Sequence, residues 1–204
     1  MVTIVVRVWM PDRPGALGQV ASRIGAVRGD VLGIEILEQG ADQVIDELTV
    51  SLPDDDLIAL LIQEIDAVDG VSVENIRTVE FDRIDPNLSA LASGAALAES
   101  DPHERLEVLC LGVERVLEAD WAVVLRGRDV IAQVGTYPDI GWLLAFLAGS
   151  EHLSEIDESL PSDLVWAHLI ASGLTVAAGR SDRPIHDRER IRVSLLARLA
   201  DALL

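Results

Sequence analysis

The stretch Met10-Pro11-Asp12-Arg13-Pro14-Gly15-Ala16-Leu17-Gly18-Gln19-Val20 constrains this chain more than any other. It follows an apolar run, Thr3–Trp9, that reads as a strand. It opens a helical pattern carried by Leu17, Val20, Ala21 and Ile24. The segment is therefore a strand-to-helix turn. Asp12 is expected to cap the helix, and Pro14 suits its first turn, where a missing N–H costs nothing. Gly15 lets a ligand approach the backbone closely. The free N–H groups and the positive dipole end of such a helix suit an anion such as a carboxylate. A small-molecule site is expected here, with no catalytic machinery beside it.

The rest of the first half falls into order around that turn. Helix one is expected over 15–27, broken at Gly29-Asp30. Strand two follows over Val31–Leu37, and the turn signal Gln39-Gly40-Ala41-Asp42 makes a hairpin with strand three over Val44–Leu52. On strand three, Val44, Leu48, Val50 and Leu52 share one face, and Ile45, Glu47, Thr49 and Ser51 share the other. Asp54-Asp55-Asp56 starts helix two, whose apolar positions are Leu57, Leu61, Ile65 and Val68, and Ser72–Val79 is strand four. The order is βαββαβ, the split-βαβ pattern, which places two helices on one face of an antiparallel sheet.

On those residues the first 80 positions resemble an ACT domain, a small module that binds amino acids. The resemblance rests on Asp12-Arg13-Pro14-Gly15-Ala16-Leu17, then Gly29, then Val31-Leu32-Gly33-Ile34. It implies a ferredoxin-like fold and a homodimer with the ligand between this turn and the second strand of a partner subunit. The implied ligand-binding residues are Asp12, Arg13, Pro14, Gly15, Ala16, Leu17, Leu32, Gly33 and Ile34. The carboxylate of the amino acid would meet the N–H groups of Gly15, Ala16 and Leu17. Asp12 would take the ammonium, and Leu32, Gly33 and Ile34 would form the wall.

Residues 81–101 read as a linker with a short helix started near Asp85-Pro86. Residues 102–204 open with an amphipathic helix whose face is Leu106, Leu109, Cys110, Val113, Val116 and Leu117. Strands follow at 121–126 and 129–134, a helix at 139–148, strands at 164–171 and 174–180, and a closing helix at 187–203. The last helix is expected to pack through Ile191, Leu195, Leu199 and Ala202. The order helix–hairpin–helix–hairpin–helix, ending in Leu174-Thr175-Val176-Ala177-Ala178-Gly179-Arg180 and Arg183-Pro184-Ile185, resembles a GAF domain. The expected fold class is thus α+β, an ACT-type unit followed by a GAF-like sensor unit.

Composition narrows function chiefly by exclusion. The net charge is −19, with 15 acids against 5 arginines in residues 1–80 and 20 against 11 in the rest, so neither half offers the basic face that nucleic acid needs. No apolar run reaches the ~18 residues of a membrane span, and the start lacks a signal peptide, so a cytoplasmic protein is expected. The single cysteine, Cys110, reads as a core residue. Asp54-Asp55-Asp56 reads as a helix start rather than a cation site. His103, His152, His168 and His186 are too scattered for a metal cluster, although His168 could line a GAF cavity. Tyr137 reads as a loop anchor, and Arg188, Arg190 and Arg192 as a solvated helix face. No nucleophile elbow, phosphate loop or zinc-protease motif is present, so no cofactor, metal or catalytic residue is expected. The leading expectation is a non-catalytic regulatory protein that binds an amino acid or similar metabolite, dimerises and signals to a partner protein. The alternatives are a ligand-free dimerisation scaffold and an unrecognised enzyme in the second half.

Overall fold

The computed structural model describes residues 1–153 and 163–204 of the chain, and they form two compact units, Met1–Arg83 and Ile84–Leu204. Both are mixed α+β with antiparallel sheets. Among the described residues no helix is long and apolar enough to cross a membrane.

In the first unit the elements run β1 (Val2–Pro11), α1 (Ala16–Ala26), β2 (Asp30–Gln39), β3 (Gln43–Leu52), a 3-10 turn (Asp55–Leu57), α2 (Ile58–Asp66) and β4 (Ser72–Val79). The sheet order is β2-β3-β1-β4, every neighbour antiparallel. This is the split-βαβ arrangement that the pattern predicts. Period-two alternation turns Ile4, Val6, Val8 and Met10 of β1 and Val44, Leu48, Val50 and Leu52 of β3 toward Ala16, Val20 and Ile24 of α1 and Leu61 and Ile65 of α2. Asp46 belongs to the same row of β3.

The opposite face of that sheet carries a buried charge cluster. Arg7 is 1% exposed and Glu47 4%, and Arg7 Nε donates to Glu47 Oε2 at 2.7 Å. Arg83 and Arg77 close on the same carboxylate at 3.1 and 3.4 Å. Burial pushes the Glu47 carboxyl up, but the three guanidiniums outweigh it and hold the group below its ordinary value.

In the second unit the order is α3 (Pro86–Glu99), α4 (Arg105–Leu117), β5 (Trp121–Arg126), β6 (Asp129–Gly135), α5 (Ile140–Leu153), β7 (Leu164–Leu169), β8 (Leu174–Gly179) and α6 (Asp187–Leu203). The sheet order is β6-β5-β8-β7. Leu109, Cys110 and Val113 of α4 and Val193, Leu196 and Ala197 of α6 cover one face, over Ala122, Val124, Val176 and Ala178. Leu143 and Leu147 of α5 cover the other, over Trp121, Val123, Leu125 and Ala177. Asp85 caps α3 through the N–H groups of Asn87 and Leu88 at 2.9 and 3.1 Å. This helix packs on α4 and α6 with a buried face of Ser89, Ser93, Gly94 and Leu97.

The closing helix corrects one expectation. Ile191 and Leu195 are 57% and 54% exposed, Leu199 is also exposed, and Ala202 lies on the outside. The stripe that α6 buries is Val193, Leu196, Ala197 and Ala200, together with Glu189 and Arg192. Charged residues fit inside because they are bonded there: Glu189 accepts from Arg180 at 2.8 Å, and Arg192 donates to Asn87 at 3.3 Å. Arg190 likewise turns to the carbonyls of Leu164 and Ile185, so Arg190 and Arg192 are not the solvated face their spacing suggests.

Candidate ligand site at the first turn

The candidate site begins where β1 ends. The Asp12 N–H donates to Asp42 O at 3.0 Å, and the Arg13 N–H to Pro11 O at 2.8 Å, so the chain turns tightly there. Gly15 then takes φ +90°, a left-handed conformation open to glycine at little cost, and serves as the N-cap of α1. No side chain caps this helix. Asp12 therefore does not fill the capping role expected of it. Its Oδ2 instead accepts from Gln39 Nε2, at the end of β2, at 2.9 Å.

The Ala16 N–H is satisfied by Arg13 O at 3.2 Å and the Gln19 N–H by Gly15 O at 3.1 Å. The N–H groups of Leu17 and Gly18 find no acceptor among the described residues. Two donors at the positive end of an eleven-residue helix are thus available to an anion. Pro14 lies in the turn before the helix, and Arg13 runs back along α1 to Gln19 at 3.4 Å. Arg13 lines an open groove with Arg23, Ala67 and Asp69.

The expected wall residues lie on the edge strand β2. Leu32 and Ile34 are 49% and 51% exposed, and Ile36 beside them is 46% exposed. Leu32 falls in a bulge between Val31 and Gly33, and Gly33 pairs with Thr49. Within one chain Gln39 ties β2 to the turn, while Leu32, Gly33 and Ile34 present an open apolar edge nearer the start of the strand.

Sequence reading missed Asp46. It is 3% exposed, faces α1 from the middle of β3, and has Val8 and Ile36 as its cross-strand neighbours. One of its carboxylate oxygens is buried with no hydrogen-bond partner. Burial, and then the nearby Asp12 carboxylate, push the Asp46 carboxyl up to about 6. The signal was an acid in an otherwise apolar alternation, Val44-x-Asp46-x-Leu48-x-Val50-x-Leu52.

The other candidates resolve into structure. Asp54 accepts from the Asp56 N–H at 3.1 Å and so starts the helical turn. Cys110 is buried, and burial pushes its thiol up to about 12, far from a reactive thiolate. His186 is buried and caps α6 reciprocally with Glu189. His168 is exposed, 3.0 Å from Thr175 Oγ1, and His103 is exposed beside Glu104. Tyr137 packs beside the α5 side of the second sheet. The side chain of His152 lies outside the described residues.

No family model matches the chain, and no curated protein matches it. Solved structures do match the N-terminal part. The ACT domain of a GTP pyrophosphokinase from Chlorobium tepidum is 15% identical, covering 38% of this chain and 97% of its own, with a TM-score of 0.31. An ACT domain protein from Streptococcus pneumoniae is 18% identical over 38% of this chain and 89% of its own, with a TM-score of 0.32. A protein of unknown function from Galdieria sulphuraria is 12% identical over 87% of this chain and 79% of its own, with a TM-score of 0.34. None of these three is described as a GAF domain. The fold assignment rests on strand order and register, and not on these matches.

Proposed function

We propose that residues 1–80 are an ACT-type module that binds an amino acid or similar carboxylate metabolite, and that the chain is a non-catalytic regulatory protein. The observation that carries this reading is the α1 N-terminus: a glycine cap at φ +90°, no capping side chain, and two N–H groups left open. A carboxylate is the group that such an end attracts. In the same reading residues 102–204 are a GAF-like sensor unit, and ligand binding at the first unit changes what a partner protein meets. A thermal-shift screen of the full chain against the twenty amino acids tests it. A ligand at about 100 times its dissociation constant adds about 2.7 kcal/mol, so at least one amino acid should raise the melting temperature. No shift with any of them removes the amino-acid reading.

One observation favours the second reading, a dimerisation scaffold. Leu32, Ile34 and Ile36 leave an apolar stripe on an unpaired edge strand, and such edges are paired, covered or charged in stable proteins. Both readings expect a symmetric dimer through this edge. Light scattering should give twice the chain mass at micromolar concentration, and Ile34→Asp, which sets a charge on the stripe, should return the monomer mass. A wild-type monomer at that concentration defeats the dimer in both readings.

A further inference from the structure

We infer that Asp46 is the cation-recognising floor of this site, holding the ammonium group of an aliphatic α-amino acid whose carboxylate rests on the open N–H groups of α1. The inference rests on the binding reading above and names the chemistry of its ligand.

A carboxylate in the apolar row of a sheet is costly unless something compensates it. Glu47, the next residue, is met by three arginines on the opposite face. Asp46 is as buried as Glu47, yet it keeps an oxygen without a partner, and its charged neighbour is a second carboxylate, Asp12. Two carboxylates without a cation between them make a place where a cation is wanted.

Register locates that place. Asp46 lies level with Val8, near the end of β1, and α1 begins just beyond that end and runs back over the sheet. The carboxylate therefore lies on the helix-covered side of the sheet, in the row of Val8, Val44 and Leu48. On its other side Asp46 lies level with Ile36 of the edge strand, which is 46% exposed, so the edge beside this closed position is open. An α-amino acid carries its two charges on adjacent atoms of one small group. Here an uncapped helix end and an uncompensated carboxylate stand on the same side of one sheet. The side chain of such a ligand would meet Ile34 and Ile36, which calls for an aliphatic group.

The test uses the full chain, L-leucine and L-valine, and their counterparts without the ammonium, 4-methylpentanoate and 3-methylbutanoate. Asp46→Asn keeps the shape of the floor and removes its charge. A charge-assisted hydrogen bond is lost, so calorimetry should show amino-acid affinity falling about 10- to 100-fold in Asp46→Asn, with the desamino acids bound as in the wild type. Circular dichroism establishes that the variant is folded. If amino acids and desamino acids lose affinity alike, Asp46 only shapes the site and the inference is overturned. If Asp46→Asn binds leucine and valine as the wild type does, the ammonium lies elsewhere and the inference is overturned, while the carboxylate site stands. If the wild type binds only the desamino acids, the same holds. If it binds none of the four, the inference and the aliphatic reading of the site fall together, and the twenty-residue screen decides whether any amino-acid site is left.

Discussion

Glu47→Ala is expected to destabilise the first unit by about 3–5 kcal/mol near neutral pH, the range for breaking a buried ion pair from one side. Glu47 is 4% exposed, and Arg7, Arg77 and Arg83 converge on its two oxygens. Alanine removes the carboxylate and leaves three guanidiniums facing the same position, one of them on a residue only 1% exposed. The pH dependence has a definite sign. The folded-state value of Glu47 is held below its ordinary 4.5, so its contribution is complete above that value and is lost as pH falls through the lowered one. The gap between wild type and variant should therefore narrow in acid. Hydrogen exchange of the β1 and β3 amides reads the stability of this unit separately from the second. A loss below about 1 kcal/mol would place the cluster among ordinary surface pairs.

Asp46→Asn should act in the opposite direction and raise stability by roughly 2–3 kcal/mol at pH 7–8. A carboxyl moved from 3.8 to about 6 is disfavoured in its ionised form by the fold, and the linkage converts that difference into stability. The group is raised, so its penalty is absent below about 3.8, grows between 3.8 and 6, and is complete above. Its known neighbours leave the sign unopposed: Val8 and Ile36 on the adjoining strands, and Asp12 as the charged group acting on it. The asparagine gain should vanish as the pH approaches 4. The same β1 and β3 amides report it, and a variant no more stable than wild type at pH 8 would show that the buried carboxylate carries no penalty.

Much of the first unit was legible because its physics is local. Alternation over β1 and β3 and helical spacing over α1 and α2 each point to one buried face, and Gly29 and Gly40 punctuate them. The site was legible only in part. The turn at 12–15 announces a helix start, but no spacing rule says whether Asp12 or Gly15 becomes the cap; the φ of Gly15 decides that. Asp46 was passed over because an apolar row tolerates one exception on paper, whereas the fold closes over it. In α6 two apolar stripes compete, and the buried one contains Glu189 and Arg192, whose partners lie far along the chain. The packing face of α3 is made of serine and glycine, so close approach rather than apolar bulk marks it.

The juxtaposition of Asp46 and Glu47 also bears on alignment. Strand pairings fail most simply by slipping one residue, which turns every side chain to the other face. In β3 such a slip would turn Glu47 away from Arg7, Arg77 and Arg83 to the core face, and would carry Val44, Leu48, Val50 and Leu52 out of the core. The pair of acids thus works as a parity mark on the strand. β3 can be read in only one phase, whatever happens at the Gly40–Gln43 turn that delivers it to the sheet.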